Sequence, residues 1–203
     1  MSFIVKTVGK LHQYFVKPRQ AQRIVDYLIE FLPAEGRVLD VGCGTGKISC
    51  LLTERNPKLS IEGIDILAQP NAKIAVKVFD GAKIPYEEKT FDAVVFVDVL
   101  HHTNKHNQLL NEAFRVSKGP VIIKDHICQT RFAFVILAFM DWVGNKPLGI
   151  RSIHNYYSES QWRQLFDEIG VTKLKMTAVK GLYPFPFNLV FERNKQVIFH
   201  LLI

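Results

Sequence analysis

The segment with the clearest chemical potential is a glycine-rich loop between a predicted strand and a predicted helix. It reads VLDVGCGTG over Val38–Gly46, so an apolar stretch ends in Asp40 and runs into three alternating glycines. Glycine at such a turn lets the backbone approach a ligand that a Cβ atom would exclude. The helix that follows offers unpaired N–H groups and a partial positive charge at its N-terminus. The loop therefore predicts a ligand-binding site.

The spacing of the glycines limits which ligand fits. A dinucleotide fingerprint would need a glycine at position 47, and Lys47 stands there. The loop therefore disfavours a pyrophosphate-binding site of the dinucleotide type. The alternative to any ligand is a tight turn with a purely structural role.

Acidic residues end the predicted strands on either side of this loop. Asp65 ends the second strand, Asp80 the third and Asp98 the fourth. Because the carboxyl ends of parallel strands line the ligand crevice of an open α/β sheet, these acids should converge with Asp40. Asp65 lies at about the spacing at which an acid accepts hydrogen bonds from both hydroxyls of an adenosine ribose. Asp80 is placed to accept from an adenine amino group.

The elements that must position these residues alternate between β-rich runs and helical patterns, which is typical of a parallel sheet covered on both faces. The five predicted strands are Arg37–Val41, Leu59–Ile64, Ile74–Phe79, Phe91–Val97 and Pro120–Lys124. The predicted helices in this part are Arg19–Leu32, Gly46–Arg55, Asn104–Val116 and Phe132–Val143.

The last third of the chain changes pattern. Ser158 and Gln161 form a capping box that begins a helix, and Gly170 ends it. Val171–Ala178 and Asn188–Arg193 are predicted strands without a helix-length segment between them, so they should pair antiparallel as a hairpin. The predicted fold is α/β: a Rossmann-like, seven-stranded, mostly parallel sheet with a C-terminal antiparallel hairpin and helices on both faces.

Four motifs occur together in the first two thirds of the chain. They are DVGCGTG from Asp40, GID ending at Asp65, FDG around Asp80, and FDAVVFVDVLHH over Phe91–His102. Together they resemble the class I methyltransferases, in particular the type 11 methyltransferase domain. The resemblance covers about residues 36–126 and implies S-adenosylmethionine as the cofactor. We expect one methyltransferase domain over residues 1–203.

The resemblance also implies which residues hold the cofactor. They are Asp40, Gly42, Cys43, Gly44, Gly46, Asp65, Ile66, Asp80, Gly81, Val97 and Asp98. The loop glycines would cradle the methionine part with Asp40 near its amino group, Asp65 would hold the ribose, and Asp80 with Gly81 the adenine. The backbone around Val97 and Asp98 would meet the ammonium. The sequence departs from the family at Gln69-Pro70-Asn71, which leaves little room for the usual helix before the third strand.

Catalytic candidates follow the fourth and fifth predicted strands. Methyl transfer from a sulfonium is a direct displacement, so alignment alone can supply much of the catalysis, and we expect no metal. A general base is needed only if the acceptor must lose a proton. His101, His102, Asp125 and His126 are placed for that role, and histidine titrates in the right range. We favour His126, with His102 and Asp125 as further catalytic candidates; loop residues with ordinary hydrogen bonds are the alternative.

The acceptor pocket is expected from the least family-like segments, about residues 1–18 and 127–157. Aromatic candidates for its walls are Tyr14, Phe15, Trp142, Tyr156 and Tyr157. The apolar runs Phe132–Met140 and Val197–Ile203 would suit a greasy acceptor or docking on a membrane surface. Ordinary core packing is the alternative for both runs.

The charge, the apolar runs and the cysteine content of the chain limit which partners and which cellular compartment we expect. The formal charge of +7 favours anionic partners, but no five like charges are consecutive, so a solvated basic surface explains it equally well. We expect no signal peptide, and the longest apolar run is far short of the ~20 residues that span a bilayer. Three cysteines without metal-ligand spacing predict a reduced, cytoplasmic protein.

These observations together predict a methyltransferase that acts on a small-molecule or lipid-like acceptor. An RNA methyltransferase is the alternative that the positive charge suggests, although no RNA-binding module is recognisable. A cofactor-binding partner protein without turnover is the alternative outside enzymes.

Overall fold

One seven-stranded sheet forms the centre of the protein. The computed structural model describes residues 16–145, 153–192 and 196–203. The strands are β1 Gly36–Val41, β2 Leu59–Asp65, β3 Val76–Val78, β4 Ala93–Val97, β5 Val121–His126, β6 Lys173–Ala178 and β7 Gln196–Leu202. Their order across the sheet is β3-β2-β1-β4-β5-β7-β6. Strands β1 to β5 are parallel, and β7 is antiparallel to both β5 and β6.

Helices surround this sheet, as predicted. They are α1 Lys17–Leu28, α2 Lys47–Arg55, α3 His106–Val116, α4 Arg131–Asn145, α5 Glu159–Ile169 and the short α6 Asn188–Phe191. A 3₁₀ turn, Leu100–His102, follows β4. The predicted capping box is present, since the Ser158 side chain accepts from Gln161 N and Ser158 N donates to the Gln161 side chain. None of the described helices has the length and apolar character needed to cross a membrane.

Alternate residues of the strands face two separate apolar cores, because successive side chains of a strand point to opposite faces. On one face Leu39 and Val94 pack in the cluster that includes residues of α3 and α5. On the other face Val38 and Val95 pack in the cluster that includes residues of α1 and α2. The sheet is therefore buried on both sides, which explains why β4 is an almost continuous apolar run.

The prediction of a strand at Asn188–Arg193 is wrong. Asn188–Phe191 is one turn of helix, α6, and the seventh strand is Gln196–Leu202. The β-branched and aromatic residues of the first segment favour a strand locally, but Val197–Leu202 has the longer β-rich run and pairs on both edges. The apolar run Val197–Ile203 is therefore a central strand and not a docking surface.

The connections around β3 are short. Residues 66–75, all of them described, contain no helix, in agreement with the little room predicted there. The β3–β4 connection at residues 79–92 also contains none. Neither connection of β3 is therefore a helical crossover, and Asp65 at the end of β2 is partly exposed.

Candidate active site

The glycine loop lies between β1 and α2 and is tied to β2. The backbone N–H groups of Gly42 and Cys43 both donate to Ile64 O, at 2.7 and 3.1 Å. Gly42, Gly44 and Gly46 have φ values of +74°, +55° and +68°, which side chains rarely permit. The loop is therefore a left-handed turn fixed against the neighbouring strand.

The three glycines differ in what surrounds them. A Cβ atom at Gly42 would lie 2.5 Å from Val99 Cγ2, and one at Gly46 would lie 2.3 Å from Ile74 Cγ1. A Cβ atom at Gly44 would meet nothing within 4 Å. Gly42 and Gly46 therefore permit close packing of the protein on itself, whereas Gly44 leaves open space above the loop.

Asp65 ends β2 and closes the side of that space. Its Oδ2 accepts from Gly44 N at 2.8 Å, and its Oδ1 accepts from Leu67 N at 3.1 Å. Each carboxylate oxygen keeps further acceptor capacity after these bonds. Ile66 is 66% exposed beside it, so an apolar side chain is available next to the carboxylate.

Asp40 lies beneath the loop instead of on the crevice wall. It is buried, and the Ser49 hydroxyl of α2 donates to its Oδ2. Burial raises the pKa of Asp40 to about 6, with the Ser49 hydrogen bond opposing the shift and the charge of Asp65 adding to it. The Cys43 thiol also turns inward, toward Gly63.

Asp80 uses its carboxylate within its own turn. Its Oδ1 accepts from Lys83 N and Ala82 N, both at 2.9 Å, and these bonds lower the pKa of the exposed carboxyl. Gly81 has a φ of +72°, and a Cβ atom there would lie 3.0 Å from Ile66 Cγ2. The structure thus brings Gly81 and Ile66 together on the open side of the crevice.

Asp98 follows Val97 at the end of β4 with a φ of +56°. Its Oδ1 accepts from Lys124 Nζ at 2.5 Å, and the same ammonium donates to Gln196 Oε1 at 2.7 Å. Burial would raise the pKa of Asp98, but the charges of Lys124, His126 and His101 together outweigh burial and lower the pKa. Sequence reasoning missed Lys124 and Gln196, because an interior lysine on a strand has no local signal of its partners.

The catalytic candidate Asp125 is an internal anchor. It is fully buried at the end of β5, and its Oδ2 accepts from Leu100 N and His101 N at 3.0 and 3.3 Å. Its Oδ1 lies 2.6 Å from His101 Nδ1 and accepts from His126 N at 2.8 Å. Burial alone would raise the pKa of Asp125, but the charge of His101 and its hydrogen bond lower that pKa well below its usual range. Asp125 can therefore orient histidines but does not face a substrate.

Three histidines gather around this carboxylate. Burial would lower the pKa of His101, but Asp125 outweighs it and raises the pKa to about 10. Burial and the neighbouring His101 lower the pKa of His102 to about 4. Burial also lowers the pKa of His126, against the effect of Asp125. His126 Nδ1 lies 3.2 Å from Asp125 Oδ1 and 3.7 Å from Asp98 Oδ1.

A cavity of about 180 Å³ adjoins these groups. Most of its polar lining comes from the ends of β4 and β5 and from the 3₁₀ turn, namely Asp98, His101, His102, Lys124 and His126, and Gln20 of α1 and Gln196 of β7 also line it. Asp141 of α4 adds a second carboxylate. The remaining lining is largely apolar and includes Leu137 and Met140 of α4 with Leu182 and Tyr183 of the β6–α6 connection.

A family model described as a methyltransferase domain matches residues 11–175. The chain belongs to the class I S-adenosylmethionine-dependent methyltransferases. It is 36% identical over 147 residues to the tRNA (carboxymethyluridine(34)-5-O)-methyltransferase of Arabidopsis thaliana, a match that covers 63% of this chain and 35% of that protein. The chain thus spans about a third of the length of this relative.

Two further similarities extend over more of the chain. The demethylmenaquinone methyltransferase of Thermotoga maritima is 26% identical over 170 residues, covering 75% of this chain and 73% of that one. The crystal structure of an S-adenosylmethionine-dependent methyltransferase from the same organism superposes with a TM-score of 0.67 at 19% identity, over 97% of both chains. The second similarity supports the fold alone.

The cofactor of this methyltransferase is S-adenosylmethionine, and the crevice residues fit it. The open space at Gly44 gives the cradle that the methionine part needs, and Asp65 offers an acceptor beside it. Carboxylate oxygens in the crevice can accept the hydrogen bonds that the hydroxyls and the ammonium of this cofactor donate. The assignment of individual cofactor contacts stays a prediction.

Of the predicted aromatic wall residues that the structure describes, none lines this cavity directly, although Tyr156 contacts two histidines that do. Tyr156 stacks on His101 with ring centroids 5.2 Å apart and meets His126 edge-on at 5.8 Å. Tyr157 stacks on His106 in the core instead, and Trp142 packs on Phe139 outside the cavity lining. Tyr14 and Phe15 lie outside the described residues.

Sequence reasoning also missed two parts of this cavity. Asp141 had a usable signal, because it is the single charged residue in the apolar run from 132 to 143 and buried acids are rare without a role. Leu182 and Tyr183 had none, since only the tertiary fold brings their loop beside α4.

Proposed function

We propose that this methyltransferase acts on an apolar, lipid-like small molecule held in the cavity beside Asp98. The observation that carries the proposal is the division of the cavity lining. Most polar side chains of the lining come from the ends of β4 and β5, whereas α4 and the β6–α6 connection contribute Leu137, Met140, Leu182 and Tyr183. Asp141 of α4 and Gln20 of α1 are the polar residues on this more apolar side. Such a cavity orients a reactive polar group toward the strand ends and holds a hydrocarbon body away from them.

The reacting end of the acceptor would lie against the histidines. S-adenosylmethionine supplies an electrophilic methyl group when bound in the crevice. If the acceptor carries an ionisable proton, His126 is placed to remove it, because it lines the cavity and Asp125 lies within reach of its Nδ1. A hydrogen bond from Nδ1 to Asp125 leaves Nε2 as the basic nitrogen. Asp125 is then a positioning residue, and His102 is the second candidate for the base.

The outer surface of α4 supports an apolar acceptor. Phe132, Val135, Phe139 and Trp142 are 72%, 64%, 52% and 36% exposed and follow one another at helical spacing. A helix that buries one apolar face and exposes another marks an interaction surface. Phe134, also exposed, touches Tyr156 at 5.9 Å between ring centroids, and Tyr156 in turn stacks on His101. Aromatic contacts therefore connect the surface to the cavity.

A second aromatic series approaches the cavity from α6. Phe187 is 55% exposed and stacks on Phe191, which contacts Tyr183 of the cavity lining at 5.2 Å. Two basic side chains lie at the start of the same connection, since Arg19 Nε donates to Gly181 O and Arg23 Nη2 donates to Lys180 O. Exposed aromatic and basic residues together suit the surface of an anionic membrane. We therefore place the acceptor in a membrane and the two aromatic series at its surface.

The relatives support both this acceptor class and its rival. The Thermotoga relative is named for demethylmenaquinone, which is a quinone. The Arabidopsis relative is named for a tRNA nucleoside, and the charge of +7 would suit RNA equally. RNA is therefore the second candidate acceptor.

One labelling experiment separates the two. The purified chain is incubated with methyl-labelled S-adenosylmethionine and either a total lipid extract or total RNA. We expect label in the organic phase that resists ribonuclease. Label that remains aqueous and is released by ribonuclease would refute the lipid-like acceptor and establish RNA in its place.

A further inference from the structure

Three cavity residues bring metal-ligating atoms together. The ligating atoms of His101, His102 and Asp141 all lie within 4.8 Å of one another. Asp141 Oδ1 is 3.6 Å from His102 Nε2 and 3.9 Å from His101 Nε2. Ligands bound to one tetrahedral ion at about 2.0–2.1 Å lie roughly 3.4 Å apart. The two distances from Asp141 Oδ1 are therefore within about half an ångström of coordination geometry, and the ligating nitrogens of the two histidines lie within 4.8 Å of each other.

His101 is already oriented for this role. Its Nδ1 lies 2.6 Å from Asp125 Oδ1, and Asp125 is itself fixed by Leu100 N and His101 N. In the deprotonated imidazole, donation from Nδ1 to a carboxylate directs the Nε2 lone pair outward, which is the usual support for a metal-bound histidine. A bound ion would take the place of the Nε2 proton. The alternative trio of His101, Asp125 and His126 does not suit an ion, because 2.6 Å is a hydrogen-bond distance and too short for two ligands of one metal.

Asp141 is held from its other side. His154 Nδ1 lies 3.3 Å from Asp141 Oδ2, and Oδ1 is the oxygen that lies near the two histidines. The loop that carries His154 is anchored to the 3₁₀ turn, since Asn155 N donates to His101 O and Asn155 Nδ2 donates to Thr103 O, each at 3.0 Å. The ligand from α4 and the ligands after β4 are thus fixed relative to each other.

The charges around the cluster favour a cation. The side chains of Asp125 and Asp141 are 0% and 8% exposed, and buried carboxylates need compensating positive charge. Lys124, the lysine in the cavity lining, is already engaged by Asp98 and Gln196. Positive charge at the histidine end must therefore come from an imidazolium or from a bound ion.

We propose that His101, His102 and Asp141 bind one divalent transition-metal ion of the Zn²⁺ type. Two imidazole nitrogens and one carboxylate oxygen are a ligand set that such ions accept, and three protein ligands leave coordination positions for an exogenous oxygen. The cavity supplies the space for that oxygen. Binding of the ion stands on this geometry alone, whereas a role in holding an acceptor oxygen rests on the proposed function.

The test uses the untagged chain after treatment with a chelator. Zn²⁺ is titrated by calorimetry, and Co²⁺ by its visible absorption. We expect one ion per chain, with Asp141→Asn and His102→Gln each weakening binding by at least about 10–100-fold. Asp167→Asn on the exposed face of α5 and His200→Gln on β7 are the matched controls, and we expect wild-type affinity from both.

Circular dichroism and binding of S-adenosylhomocysteine show whether each variant is folded. If His102→Gln is not folded, the nearly isosteric Asp141→Asn decides. Absence of stoichiometric binding by the wild type, or equal affinity in the folded Asp141→Asn variant, would overturn the proposal. No acceptor is present in this experiment, so its result is independent of whether lipid or RNA is methylated.

Discussion

At the scale of single residues, the crevice shows that similar residues in one motif do different work. Gly42 and Gly46 allow side chains of the protein to approach, whereas Gly44 leaves room that the protein itself does not fill. Asp65 ends β2 and accepts from Gly44 N of the glycine loop, whereas Asp80 follows β3 and accepts from two backbone N–H groups of its own turn. A motif therefore locates the site but does not assign the role of each position.

Replacing Gly44 by valine should abolish cofactor binding, because the new side chain enters the open space above the loop. The positive φ will also cost roughly 1–2 kcal/mol of stability. Gly170→Val is the matched control. Gly170 also has a positive φ, +85°, and nothing within 4 Å of its Cβ position, but it lies at the C-terminal cap of α5 and not in the glycine loop. Calorimetry with S-adenosylhomocysteine should show binding by the control alone. Normal binding by Gly44→Val would mean that the loop has only a structural role.

Replacing Asp65 by alanine should weaken S-adenosylhomocysteine binding by about 1–3 kcal/mol, because it removes a charged acceptor beside the crevice. Asp80→Ala should have the smaller effect, because its carboxylate is engaged in its own turn. Calorimetry on both variants measures the difference. A larger loss at position 80 than at position 65 would contradict this description of the crevice.

Replacing His126 by alanine tests the proposed base. Where the acceptor must lose a proton, turnover should fall by roughly 10²–10⁴-fold with cofactor affinity unchanged. Steady-state methyl transfer and calorimetry give the two quantities, and His200→Ala is the control because His200 lies on β7 away from the cavity lining. A parallel loss of cofactor affinity would show that His126 supports the pocket instead of the reaction.

At the scale of elements, the sequence predicted most of the sheet because periodicity and turn residues act locally. β1, β2, β4 and β5 lie within about two residues of their predictions, and Ser158 and Gly170 bound α5 as their types require. The segment after residue 180 failed for a tertiary reason. Its β-rich residues Leu189, Val190 and Phe191 would suit a strand, but the free edge of β5 is taken by β7.

The cavity could be predicted only in part for the same reason. Strand-end residues such as Asp98 and His126 were predicted because the parallel topology brings them to one edge of the sheet. Leu182 lies on a connection whose path is set by packing against α1 and α4, and no local pattern encodes it. Lys124 could not be predicted for the same reason. Its buried ammonium is stabilised by Asp98 and Gln196, which only the tertiary fold brings beside it.

The outer face of α4 yields a prediction about membranes. Phe132→Ser combined with Val135→Ser should reduce association with vesicles that contain phosphatidylglycerol, because it removes exposed apolar area from the helix. Flotation measures this, and wild-type binding should weaken as salt rises. Val78→Ser combined with Met176→Ser is the control, since those residues are also exposed but lie on β3 and β6. Equal flotation of both double variants would contradict membrane docking through α4.

At the scale of the whole molecule, a buried acid beneath the cofactor loop affects stability. The pKa of Asp40 is about 6 in the folded protein against an ordinary value of 3.8. A raised carboxyl pKa means that the unfolded state releases its proton first. The free energy of unfolding therefore decreases as the pH rises from about 4 to about 6. Above pH 6 the total loss is on the order of 3 kcal/mol.

Asp40→Asn removes this titration and should change the pH dependence. Relative to the wild type, the variant should gain up to about 3 kcal/mol between pH 4 and pH 7.5. Urea denaturation at both values gives the free energies of unfolding. Other carboxyls contribute equally to both proteins, so the comparison isolates Asp40. The same difference at both pH values would show that Asp40 titrates normally.

The position of β7 between β5 and β6 has a consequence for how the protein is made. β6 leaves the ribosome before β7 but has no partner until β7 has emerged, because β5 and β6 do not touch. The cofactor crevice, built from β1, β2 and β4, can be complete on a nascent chain. The cavity cannot be complete at that stage, because Lys124 donates a hydrogen bond to Gln196, which lies 72 residues later in the chain. During synthesis the loop, Asp65 and the end of β4 can therefore come together before the cavity in which we propose that the acceptor binds.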